Sequence, residues 1–139
     1  MEELFVYALL YVIGYNKSAE YHYALDKLFL DDPSNKELFD LEEMEYKDAM
    51  LHLFHLMRTT TVNYDKFGIL LMRILKPIYR ESDLFDFGKK MYELWKILPS
   101  NIDKEEPFHT FCYADDCLSY GDERQCRELY EIALNYYDK

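Results

Sequence analysis

Apolar positions in this chain recur at intervals of three and four residues from Glu2 to Tyr137, the period of helices that bury one face. The first segment, Glu2 to Ile13, is apolar on nearly every side. It predicts a core helix led by two acids at its positive end and stopped by Gly14. Asn16 or Ser18 can cap a second helix to about Leu30, with Tyr21, Leu25, Leu28 and Phe29 in register and Asp31, Asp32 and Pro33 breaking it. Ser34 with Glu37 fits a capping box for a third. Its stripe runs Leu38, Leu41, Met44 or Glu45, Ala49, Leu53, Leu56 and Met57, up to the β-branched run Thr59 to Val62, a poor helix former.

Asn63 can cap a fourth helix from Tyr64 to about Leu75, with Phe67, Leu70, Leu71 and Ile74 inward, and Pro77 predicts its stop or kink. Ser82 or Asp83 begins a fifth, whose core face is Phe87, Met91, Leu94, Trp95 and Leu98, with Pro99 beyond its end. Asn101 to Glu106 reads as a polar linker. A short helix from Pro107 to Ala114 then leads into a connection, Asp115 to Gly121, and a last helix runs from Asp122 to Tyr137 with Asp122 and Gln125 as a second capping box. No segment alternates long enough to demand a strand, and four Gly and four Pro leave little material for the turns of a sandwich or barrel. The expected class is all-α, an irregular bundle of six or seven helices forming a single helical domain over residues 1–139.

That length suffices for a core without staples, and a composition half hydrophobic and 17% aromatic belongs to chains that fold. Cys112, Cys117 and Cys126 are odd in number and lack Cys-x-x-Cys spacing, so free thiols in a reducing cytoplasm are expected. The apolar run Leu4 to Ile13 follows acids rather than bases and is about half the roughly 20 residues that cross a bilayer. Neither a leader nor a membrane span is expected.

Candidate chemistry is sparse. Asp48, His52 and His55, at i, i+4 and i+7, share one helical face and could offer ligands to a divalent metal in a metal-dependent enzyme. A di-iron bundle would need a second copy of its Glu-x-x-His motif, and the sequence has none, nor the His-Glu-x-x-His signature. Ordinary histidines beside a core stripe are the favoured reading, with no cofactor expected. His109 and Cys112, with Asp115 or Asp116 to orient the imidazole, could form a nucleophilic pair. Such pairs usually come from distant segments, so Cys112 reads better as a small buried hydrophobe. Nucleophile elbows and phosphate-cradling glycine loops are absent, so the chain is not expected to be an enzyme.

Charge changes the picture. The chain carries 27 Asp and Glu against 16 Lys and Arg, a net charge of −11 that repels nucleic acid and anionic membranes and attracts a polycation. Two blocks concentrate it. From Asp31 to Asp48 eight acids face Lys36 and Lys47, and from Asp103 to Glu131 nine face Lys104, Arg124 and Arg127, a balance of −6 in each. Solvated helix faces explain much of this. Fourteen tyrosines accompany the acids, with Tyr46, Tyr113 and Tyr120 inside or beside the blocks, and such rings are favoured at protein interfaces while acids steer a basic partner.

With the stretch Tyr113-Ala114-Asp115-Asp116-Cys117-Leu118-Ser119-Tyr120-Gly121-Asp122-Glu123 read as a loop joining the last two helices, the chain as a whole resembles the immunity proteins of bacterial contact-dependent growth-inhibition and polymorphic toxin systems. The resemblance implies a cytoplasmic inhibitor that occludes the active cleft of a basic protein toxin, a nuclease above all, without touching nucleic acid or membrane itself. Tyr113, Asp115, Asp116, Tyr120, Asp122 and Glu123 are the expected contact residues. A helical adaptor that binds its partner through an apolar groove is the alternative.

Overall fold

The computed structural model of the chain describes residues 1–99 and 102–138, in which eight helices and no strand are formed. The all-α class holds; the expected six or seven helices undercount by splitting too little in one place. The chain divides into two compact units, Met1–Asn63 and Tyr64–Lys139. No helix among the described residues is long and apolar enough to cross a membrane.

In the first unit, α1 (Glu2–Val12) buries every residue from Leu4 to Leu10, as its all-round apolar sequence requires. Gly14 ends it with φ 98°: its N–H donates to Tyr11 O at 3.0 Å and that of Tyr15 to Leu10 O at 2.9 Å, the paired bonds of a Schellman cap. Then comes α2 (Ser18–Asp31), whose Ser18 N–H is held by Asn16 Oδ1 at 2.9 Å.

The expected third helix is two. Met44 and Glu45 are both extended, so α3 (Lys36–Glu43) stops there and α4 (Tyr46–Thr59) begins afresh. The break has a packing cause: α3 lies on α2, whereas α4 lies on α1 and buries Ala49, Met50, Leu53 and Met57, and one straight rod could not serve both neighbours. Ser34 is not the cap either. Asn35 Oδ1 accepts from Leu38 N at 3.2 Å, while the Ser34 hydroxyl turns back to Asp32.

The second unit opens with α5 (Tyr64–Glu81), which does not stop at Pro77, one of the two outcomes expected there, but carries the proline inside it. The apolar stripe continues beyond the proline through Ile78 and Tyr79, and this packing outweighs one missing backbone bond on an exposed face. Asp83 caps α6 (Leu84–Ile97), accepting from Phe85 N and Asp86 N at 3.1 and 3.3 Å. The linker after it is docked rather than free: Ile102 is fully buried and Trp95 Nε1 donates to Asp103 O at 3.0 Å. Asn101, expected to begin that linker, lies outside the described residues.

The expected connection Asp115 to Gly121 is largely helical, because α7 spans Thr110–Ser119. Only its C-terminal cap is a turn. Gly121, φ 80°, donates to Leu118 O at 3.0 Å and Asp122 N to Cys117 O at 2.9 Å, a second Schellman cap. The carbonyls of α7 thereby take the Asp122 N–H that a reciprocal capping box would use. Asp122 still caps α8 (Glu123–Leu134) with its side chain, accepting from Gln125 N at 3.0 Å. Within this unit α7 packs on α6 and α8, and α8 on α5.

Candidate functional site

A helix turns about 100° per residue, so the expected contact residues divide once α7 is a helix rather than a loop. Tyr113, Asp116 and Tyr120 share one face with His109, and both tyrosines stand out in solvent at 51% and 88% exposure. Tyr113 is held by the His109 ring, edge to face at 4.7 Å. Glu123 follows on the first turn of α8 and is exposed.

Asp115 belongs to another face. It is half-buried, close enough to Cys126 and Tyr130 of α8 for its charge to push both groups up, and its own carboxyl is raised by burial and then by Asp116. Asp122 is engaged as a cap. Of the six expected residues, the structure brings together Tyr113, Asp116 and Tyr120, sets Glu123 just beyond, turns Asp115 towards α8 and engages Asp122 as a cap. Tyr46, expected at an interface, packs instead inside the first unit, 5.4 Å from the Tyr11 ring and 5.8 Å from Tyr21.

The nucleophilic and metal alternatives gain no geometry. Burial, followed by Asp116 and Asp115, pushes the Cys112 thiol up, away from the thiolate that attacks, while His109 packs between the rings of Tyr113 and Trp95. His52 Nε2 meets Glu37 Oε1 of α3 at 2.6 Å, whereas Asp48 and His55 are exposed. Among the described residues no group of three or more His, Cys, Asp or Glu is placed to hold a metal ion.

What the pattern of residues does not reveal is a groove between α2 and α3. The two helices form an antiparallel hairpin closed by the Asp32 to Asn35 turn, in which Asn35 N donates to Asp32 O at 3.1 Å. Asp26, Phe29 and Leu30 line it from α2 and Phe39, Glu42 and Glu43 from α3, each a set at i, i+3, i+4 on one face of its helix. The rings of Phe29 and Phe39 face each other at 6.3 Å, and one turn further along the Glu42 carboxyl lies beside that of Asp26. Heptad-like stripes signal Leu25 and Leu38 for the core, but residues beside such stripes read as surface until two helices are known to converge.

Partial burial, and then the neighbouring carboxyls of Asp26 and Glu43, hold the Glu42 carboxyl above the usual carboxylate range. An acid raised on folding binds its proton more readily in the folded state. Its contribution therefore improves as pH falls through the folded value and levels off below the unfolded one. Glu42→Gln is expected to melt slightly higher than the parent at pH 7 and to lose that advantage on acidification to about pH 5, the difference being kept small by the solvent exposure of Glu42. Parallel melting curves for parent and variant across that range would show that Glu42 is not the strained group.

No protein-family model, no curated protein and no solved structure matches this chain. The functional reading therefore rests on its own geometry and charge.

Proposed function

We propose that this protein is an acidic binding protein of the toxin-immunity kind, which neutralises a basic protein toxin by occluding its active cleft. A nuclease is the toxin class such a surface fits best, since a cleft built for phosphates is lined with Lys and Arg. The observation that carries the reading is the exposed α7 face, where Tyr113 and Tyr120 flank Asp116 and lead to Glu123, on a chain of net charge −11. Rings of this kind anchor interfaces, and acids around them raise the association rate with a basic surface. The adaptor reading is favoured by a different feature, the apolar groove between α2 and α3.

Affinity capture from the native cells at low salt, followed by a protection assay with the captured protein, tests the proposal. A basic toxin is expected, eluting with salt. Asp116→Lys with Glu123→Lys is expected to slow association and flatten its salt dependence, because rim charges act mainly on encounter. Tyr113→Ala with Tyr120→Ala is expected to speed dissociation and to cost about 2 kcal/mol or more where the rings fill pockets of the toxin. Asp115 and Asp122 are left alone because the first is half-buried against α8 and the second caps it. Capture that yields no basic protein would remove the toxin reading; a toxin that both variants still bind and neutralise would remove α7 from the contact.

A further inference from the structure

Scattered apolar residues on a protein surface need no explanation, but three that converge from two helices into one concavity do. Leu30 is 77% exposed and Phe39 50%, and with Phe29 they are the apolar lining of the open α2–α3 groove, whose volume is ≈ 480 Å³. Side-chain pockets that bind ligands span roughly 300–1,000 Å³. Every polar side chain lining the groove is an acid: Asp26 at one wall, Glu42 and Glu43 at the other. The hairpin around it adds Asp31, Asp32, Glu37 and Asp40 against Lys27 and Lys36.

Charge chooses the occupant. A second copy of this chain would bring its own net −11 to an acidic rim, and an anionic lipid surface would be repelled in the same way. A partner with an apolar anchor and flanking cations satisfies both the apolar and the acidic residues of the groove. We propose that the α2–α3 groove is a docking site for a basic protein segment that sets one large apolar side chain against Phe29, Leu30 and Phe39 and its Lys or Arg against Asp26, Glu42 and Glu43. The mode is that of an amphipathic helix laid into a hydrophobic groove.

The rim also shows that the free groove is electrostatically unfavourable. Folding brings Asp26 and Glu42 into contact with nothing positive lining the groove between them, and an arriving cation relieves that repulsion. Glu42→Gln should therefore act in opposite senses, raising the melting temperature of the free protein while weakening the complex. A merely structural acid pair would not couple the two. This groove lies apart from the α7 face in sequence and in unit, and its occupation does not depend on the partner being a toxin.

A synthetic helical peptide with Phe and Leu four residues apart and four flanking Arg is the probe, titrated into the isotope-labelled full chain and followed by amide shifts and fluorescence anisotropy. Two matched peptides serve as controls, one with Glu for every Arg and one with Ala for both anchors. Shifts are expected to map to residues 26–43, with each control bound at least tenfold more weakly. Leu30→Ser with Phe39→Ser, both at exposed positions, is expected to weaken the probe tenfold or more. Glu42→Gln with Glu43→Gln should weaken it about three- to tenfold, because rim pairs contribute modestly. Tyr113→Ala with Tyr120→Ala should bind as the parent does. The proposal is overturned by a probe that does not bind, by shifts outside the hairpin, or by a control peptide that binds equally well. Sedimentation showing a dimer that Leu30→Ser with Phe39→Ser splits into monomers would likewise overturn it, by giving the groove to a second copy.

Discussion

Tyr130→Phe is expected to leave the protein as stable as its parent or to stabilise it by up to about 1 kcal/mol, whereas Tyr130→Ala is expected to cost about 3 to 5 kcal/mol. The ring is fully buried on α8 and joins the second unit together. It meets Phe87 of α6 edge to face at 5.1 Å, and Tyr79 of α5 and Phe111 of α7 at 6.1 Å each. Truncation opens a cavity where four helices meet, and a close-packed interior fills such a space only in part. The hydroxyl has the opposite effect. It is buried beside the Cys126 thiol, a weak hydrogen-bonding group, and burial followed by Cys126 and Asp115 pushes its titration far above the ordinary tyrosine value. Removing a buried hydroxyl whose neighbour is a thiol relieves a desolvation cost, gives up at most a weak bond and keeps the ring. Gly88 marks how closely α6 approaches here: a Cβ on it would lie 2.7 Å from Leu118 Cδ2 and 3.3 Å from that hydroxyl. Denaturant unfolding of the two variants decides the matter. A loss above about 1 kcal/mol in Tyr130→Phe would mean that the bond between hydroxyl and thiol outweighs the cost of burying the hydroxyl.

The helices themselves are legible because their signals are local. Gly14, Asp83, Asp122 and the 3.6-residue stripes each act within a turn or two, and α1, α6 and α8 begin or end within a few residues of where those signals place them. The departures share one cause. Met44 and Glu45 are ordinary helix formers, and they are extended because α3 and α4 serve different neighbours, a requirement no local pattern states. The stretch from Asp115 to Ser119 reads as a loop through its polar residues. Its helix is held by Ala114 and Phe111 in the core and closed by the Gly121 turn.

The candidate site is legible only as composition. Acid and tyrosine content point to a segment of chain, but a face is a property of the helix, and only the helix separates Tyr113, Asp116 and Tyr120 from Asp115. The α2–α3 groove is further out of reach. Phe29 falls inward by its period, Leu30 and Phe39 lie outside the stripes, and none announces that all three meet. Their convergence depends on the hairpin register that puts Phe29 opposite Phe39 and Asp26 opposite Glu42.

Pro77→Ala is expected to stabilise the protein by about 2 kcal/mol, and its sign tests how α5 accommodates the residue that should have ended it. Proline inside a helix is about 3 kcal/mol worse than alanine, since it lacks the N–H that would bond to residue 73 and its ring crowds that carbonyl. Proline also stiffens the unfolded chain, which returns about 1 kcal/mol of that difference. Position 77 is exposed, as is Arg73, so alanine displaces no packed neighbour and restores the backbone bond in full. The last turn is already fixed through Tyr79, whose ring lies edge to face on Phe87 at 5.1 Å, and through Lys76, which pairs with Asp138. With alanine at 77, α5 need only keep Tyr79 there. Equilibrium unfolding gives the sign, and the fluorescence of the native state reports the aromatic cluster. Should the variant instead lose stability, the proline ring would be the feature that aims the last turn at Phe87 and Tyr130, and Tyr79→Ala would then cost much less in the Pro77→Ala background than in the parent.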